Sequence, residues 1–160
     1  MKLALAALTL TLAAGTATAQ QYASADGYRT CPTVQTSEGL SVVENVCGKL
    51  SPPSFSSASF NSLSELQRAE ATRDAFTTQV AEYGQCVSRF IDSYRRPGAD
   101  ANSTAPDKAA CAHSWAQDQI VQTTRDYGRA CIEFSNRSMV DSTIEPWSGS
   151  CYPAAPSQNG

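Results

Sequence analysis

The chain has 160 residues, of which 17% are charged, and its formal net charge is −3. The acidic balance, with no basic stripe to offset it, argues against electrostatic nucleic-acid binding. The length suits one domain, and no stretch beyond the first nineteen residues is apolar enough to cross a membrane.

Residues 1–19 read as a secretory signal peptide. Lys2 supplies a basic start, residues 3–14 form an apolar run too short to span a bilayer, and Ala17-Thr18-Ala19 is a small-residue cleavage pattern. A cut after Ala19 implies a secreted or periplasmic protein. It removes 19 of the 160 residues and leaves 141, with eleven basic residues (Lys2 being lost) against fifteen acidic ones. Six cysteines remain: Cys31, Cys47, Cys86, Cys111, Cys131 and Cys151. An even count in an exported chain points to three disulfides. A metal or redox site would favour closer pairs such as C-x-x-C, so neither a metal nor a cofactor is expected.

Residues 20–61 are expected to form an irregular, Cys-, Pro- and Ser-rich N-terminal strap. Residues 40–46 (LSVVENV) read equally as a helical turn or a short strand. From Cys47 to Phe60, Pro52-Pro53 and the serines suggest extended chain, with Phe55 and Phe60 packing it onto a neighbour.

Residues 62–96 predict one long helix. Leu66, Ala69, Phe76, Val80, Tyr83, Val87, Phe90 and Tyr94 recur at steps of three and four along one stripe, which only Arg73 interrupts. Ser62 with Glu65 has capping-box spacing. Pro97-Gly98 ends the pattern, with Arg95 and Arg96 expected in the last turn, where cations complement the helix dipole. The turn-rich residues 97–106 lead to a second helix over about 107–139, with a seam of Ala109, His113, Ala116, Ile120, Thr123, Tyr127, Ala130 and Phe134. A short connection between helices of similar length favours an antiparallel hairpin, within a helical unit spanning residues 62–140. Its seams are poor in leucine and isoleucine, so disulfides, the strap or a second copy must contribute; a homodimeric four-helix bundle is one such arrangement. Residues 141–160 form a mostly irregular tail anchored by Trp147. The expected fold is therefore all-α: a disulfide-stapled antiparallel hairpin of two long helices, of coiled-coil character, with an irregular N-terminal strap.

Cysteine spans constrain the pairing. Cys111 and Cys131 stand roughly 30 Å apart on a continuous helix and cannot bond. An extended chain from Cys47 to Phe60 covers roughly 40 Å, and helix from Ser62 to Cys86 rises roughly 36 Å, so these two cysteines can meet. The favoured set is 31–111, 47–86 and 131–151. The competing set, 31–47, 86–111 and 131–151, places Cys86 opposite Cys111 at an offset of several ångströms.

Candidate contact residues are Tyr83, Tyr127, Trp115 and Trp147. Tyr83-Gly84-Gln85-Cys86 echoes Tyr127-Gly128-Arg129-Ala130-Cys131, which reads either as matching sites or as glycines admitting neighbouring segments. His113 is the single histidine; with Cys111 in a disulfide and Gln117 four residues on, it reads as a seam residue. The carboxylates and arginines of the first helix read as a solvated, ion-paired face. Asn102 and Asn136 head N-x-S/T patterns, with Asn102 the more exposed by position. No metalloprotease, nucleophile-elbow or phosphate-loop motif occurs. The expectation is a non-catalytic exported protein that binds or spaces a protein or cell-envelope partner. The alternatives are a small-ligand or metal carrier with a cleft near Tyr83 and Tyr127, or an inhibitor of a secreted hydrolase.

Overall fold

The computed structural model describes residues 30–152; the expected signal peptide lies outside them. The described residues form three helices and no strand: α1 (Thr33–Cys47), α2 (Leu63–Ser93) and α3 (Ala105–Val140). None of these is long and apolar enough to cross a membrane.

The main correction to the expected fold is α1, which occupies residues assigned to the irregular strap. Its own sequence supports it weakly. Pro32 at its N-terminus offers no side-chain cap, and its first turn holds no acidic residue. Tertiary contacts supply what the local sequence lacks. Gly39 sits so close to α3 that a Cβ there would come within 2.1 Å of the Lys108 carbonyl oxygen. Beside this approach Lys108 pairs with Glu38 at 3.0 Å, and Val43 enters the core fully buried. Both ends of the helix are covalently held: Cys31, just before it, bonds to Cys111 of α3, and Cys47, its last residue, bonds to Cys86 of α2. Cys131 and Cys151 complete the pairing. This is the set that the spans favour, and the competing pairs do not form.

The start of α2 follows its capping signature. The Ser62 hydroxyl accepts from the Glu65 amide at 3.3 Å. The Glu65 carboxylate reaches back to the Asn61 amide at 2.8 Å, one residue beyond the usual reciprocal bond. The helix runs through Gly84 without a break but stops at Ser93, short of residue 96. There the amides of Tyr94 and Arg95 bond to carbonyls three residues back, tightening the chain out of the helix. Arg95 and Arg96 thus lie beyond the last turn, which carries no basic residue; Arg95 instead pairs with Asp92 at 3.0 Å.

α3 begins two residues earlier than the seam predicts, with Pro106 in its first turn, where a missing amide costs nothing. Arg73 of α2 stands over Tyr127 of α3, while Gly84, further along α2, faces His113, further back along α3. Every residue of the second seam is buried except His113 and Ile120, which are half-buried. Phe90 and Tyr94 at the end of the first seam are also half-buried, their rings in tilted contact 5.3 Å apart.

Two apolar clusters make the core. One gathers Val43, Phe76, Val80, Tyr83, Val87 and the alanines of α3; the other gathers Phe55, Phe60, Leu66, Tyr127, Cys131 and Phe134. Along both long helices the boundary falls at a buried polar residue, Arg73 on α2 and Thr123 on α3. The α1–α2 connection joins the second cluster through Phe55 and Phe60, whose rings lie 5.8 and 6.2 Å from Tyr127. Arg137 donates to the Phe60 carbonyl and fixes the end of that connection.

Gly39→Ala should destabilise the protein by about 1–3 kcal/mol, because the added methyl meets a helix backbone that cannot rotate away. Urea denaturation measures this, with Ser41→Ala on the exposed face of α1 as a control that changes little. A Gly39→Ala protein as stable as the parent would contradict the close approach.

Candidate functional site

The structure separates the four candidate contact residues into two pairs. Tyr83 and Trp115 line one hollow in the first cluster; Tyr127 and Trp147 belong to the second. The expected single cleft near both tyrosines is therefore two separate places.

The hollow arises from how α1 ends. Gly48 takes φ 75°, a left-handed conformation that glycine adopts without strain, and its amide bonds to the Glu44 carbonyl at 3.0 Å. The chain turns there and lays Lys49, Leu50 and Pro52 beside Leu40, Tyr83 and Trp115. With Glu44 they line a hollow of about 180 Å³. Leu40 and Trp115 also face a second hollow of about 390 Å³, which runs towards Cys31, Cys111 and Asp118. On the other side, Lys49, Leu50 and Tyr83 border a third of about 250 Å³ beside the Cys47–Cys86 bridge. Burial pushes the Tyr83 phenol above its usual pKa, and the nearby Glu44 carboxylate adds to the shift.

The second place is a buried cation–aromatic contact. Arg73, 5% exposed, holds its guanidinium carbon 4.4 Å from the centre of the Tyr127 ring. Its Nε and Nη2 donate to one Asp74 oxygen at 2.9 and 2.7 Å, and Glu70 lies 3.6 Å from Nη2. Desolvated contacts of this kind are worth about 2 kcal/mol. Arg73 thus belongs to the seam it interrupts in sequence. Its Nη1 and the Tyr127 hydroxyl are buried without a hydrogen-bond partner among the described residues, as is the Trp147 indole nitrogen. Burial and then Glu70 push the Tyr127 phenol up to about 12, with Asp74 adding to the shift and Arg73 opposing it.

The repeated Tyr-Gly-Cys element has a physical explanation. A Cβ at Gly84 would come within 2.8 Å of the His113 ring, and one at Gly128 within 2.5 Å of the Tyr152 ring. In each copy the tyrosine is buried, the glycine admits a ring, and the cysteine bonds to a segment outside the long pair. His113 is half-buried against Gly84, its Nε2 lies 3.3 Å from Gln117, and burial lowers its pKa. Cys111 is committed to Cys31. Among the described residues no group of three or more His, Cys, Asp and Glu side chains is placed to share a metal ion. Asn102 is exposed in the α2–α3 connection. Asn136 lies within α3, and the Ser138 of its motif is buried and bonded to the Ser135 carbonyl.

Tyr127→Phe removes a buried hydroxyl that lacks a partner while keeping the ring under Arg73. It should cost less than about 1 kcal/mol, whereas Tyr127→Ala should cost about 3–5 kcal/mol. The folded state favours the neutral phenol, so the Tyr127 contribution to stability is present below pH 10 and is lost as pH rises towards 12. Alkaline titration by tyrosinate absorbance should show a phenol near pH 12 that Tyr127→Phe abolishes. A loss above 1 kcal/mol in Tyr127→Phe would contradict this description of the hydroxyl.

Compared with known proteins, the chain matches no family model, no curated protein and no solved structure.

Proposed function

We propose that the protein is an exported, non-catalytic helical module that binds a protein or cell-envelope partner through the outer face of α3. One observation supports this reading above the others. Val121, Ile132 and Met139 are all exposed, Met139 by 71%, and their spacing of eleven and then seven residues places them on one stripe of the helix. Gly128 falls on the same stripe and carries the ring of Tyr152, itself half-exposed. Single exposed apolar residues are ordinary, but several aligned on one helix face favour an interaction surface.

In this reading α2 and α3 act as a disulfide-stapled antiparallel hairpin. α1 braces it, and residues 48–62 strap it on the side of Phe55 and Phe60. Export through the expected signal peptide would bring the cysteines to an oxidising compartment. A second reading, a carrier for a small ligand, draws on the hollow between Leu40, Tyr83 and Trp115.

The test is retention of a partner from an envelope extract of the producing cell, comparing the native protein with an Ile132→Asp, Met139→Asp double variant of unchanged circular dichroism. The expected result is one protein held stoichiometrically by the native form and lost by the double variant. Equal retention by both forms would contradict the assigned face. A native dimer that the double variant turns into a monomer would assign the stripe to self-association instead.

A further inference from the structure

We propose that the hollow between α1, the turn after it and α3 binds a small, flat, uncharged aromatic molecule of about one ring. The inference rests on the carrier reading and names its ligand class.

Size is the first argument. An apolar cavity of roughly 150 Å³ is enough to take up benzene. At about 180 Å³ this hollow has room for one ring with a small substituent. Its surface is the second. Leu40, Leu50 and Pro52 supply aliphatic wall, and Tyr83 and Trp115 supply two aromatic rings. Flat aromatic ligands gain from offset or edge contacts with such rings, beyond the area they bury. Charge is the third. Glu44 and Lys49 are the charged residues of the lining and have opposite sign, so an anion or a cation gains from one and is opposed by the other. An uncharged ligand meets no such conflict and loses little hydration on entry.

The hollow is also braced. The turn that closes it is anchored at its start by the Cys47–Cys86 bridge, and α1 is held at its other end by Cys31–Cys111. Preformed walls spare the ligand the cost of ordering them.

The experiment titrates the native, disulfide-bonded protein with phenol, cyclohexanol, benzoate and benzylamine, following amide and indole resonances by NMR. With phenol, the Leu40 and Leu50 amides and the Trp115 indole should shift saturably, while the Trp147 indole stays still. Cyclohexanol, benzoate and benzylamine should each bind at least tenfold more weakly. Leu50→Trp, which fills the hollow, should abolish the phenol shifts. If that variant does not fold, the ranking of the four probes on the native protein still decides. Preference for benzoate, benzylamine or cyclohexanol would overturn the ligand class while leaving the carrier reading in place. Absence of saturable shifts with any probe would overturn both.

Discussion

The fold depends on a short helix held at both ends. α1 has a proline for its N-cap and a glycine in the middle of its packed face, and neither feature would hold a fifteen-residue helix in isolation. Two disulfides, from Cys31 to α3 and from Cys47 to α2, fix it against both long helices. They close separations of 80 and 39 residues, where the chain-entropy argument assigns roughly 3–5 kcal/mol to each bridge. Gly39 then becomes an advantage. Without a side chain, the α1 backbone reaches the Lys108 carbonyl, and the helix docks more closely than any larger residue allows. α1 also forms the wall that makes the Tyr83–Trp115 hollow.

A second constraint is the division of the core. Arg73 and Thr123 are buried at matching places along α2 and α3, with an apolar cluster on either side. A buried arginine is tolerable because Asp74 and Glu70 compensate its charge and the Tyr127 face receives the guanidinium. Each half of the molecule then solves the same problem with similar parts: a buried tyrosine, a glycine that admits a ring, and a cysteine that ties down a segment outside the long pair. In the first half that segment is α1; in the second it is the tail around Cys151 and Tyr152.

What could be read from the sequence follows from where the stabilising interactions are local. The α2 seam declares itself because Leu66, Phe76, Val80, Tyr83 and Val87 recur at helical spacing, and Ser62 with Glu65 marks its start. Chain lengths narrow the bridges to two sets, since a continuous helix forbids a Cys111–Cys131 bond whatever surrounds it, and the position of α1 decides between them. α1 was hidden because its support is distant. Val42, Val43 and Val46 suit a strand as well as a helix, Gly39 resembles a turn, and the Lys108 carbonyl that explains it lies far along the chain. Arg73 looked like an interruption because its partner ring, Tyr127, is equally remote. The cleft expected near Tyr83 could not be given its walls for the same reason: Trp115 and Leu40 meet only once α1 exists.

The most direct measurement is a non-reducing proteolytic digest of the exported protein with mass-spectrometric assignment of the bridged peptides. The account predicts that Cys31 is recovered with Cys111 and Cys47 with Cys86, the two bonds that bracket α1. Recovery of a Cys31–Cys47 peptide would contradict it. That bond would join the two ends of α1 to each other, across more than twenty ångströms of helix at 1.5 Å per residue, so neither the helix nor the hollow it walls could exist.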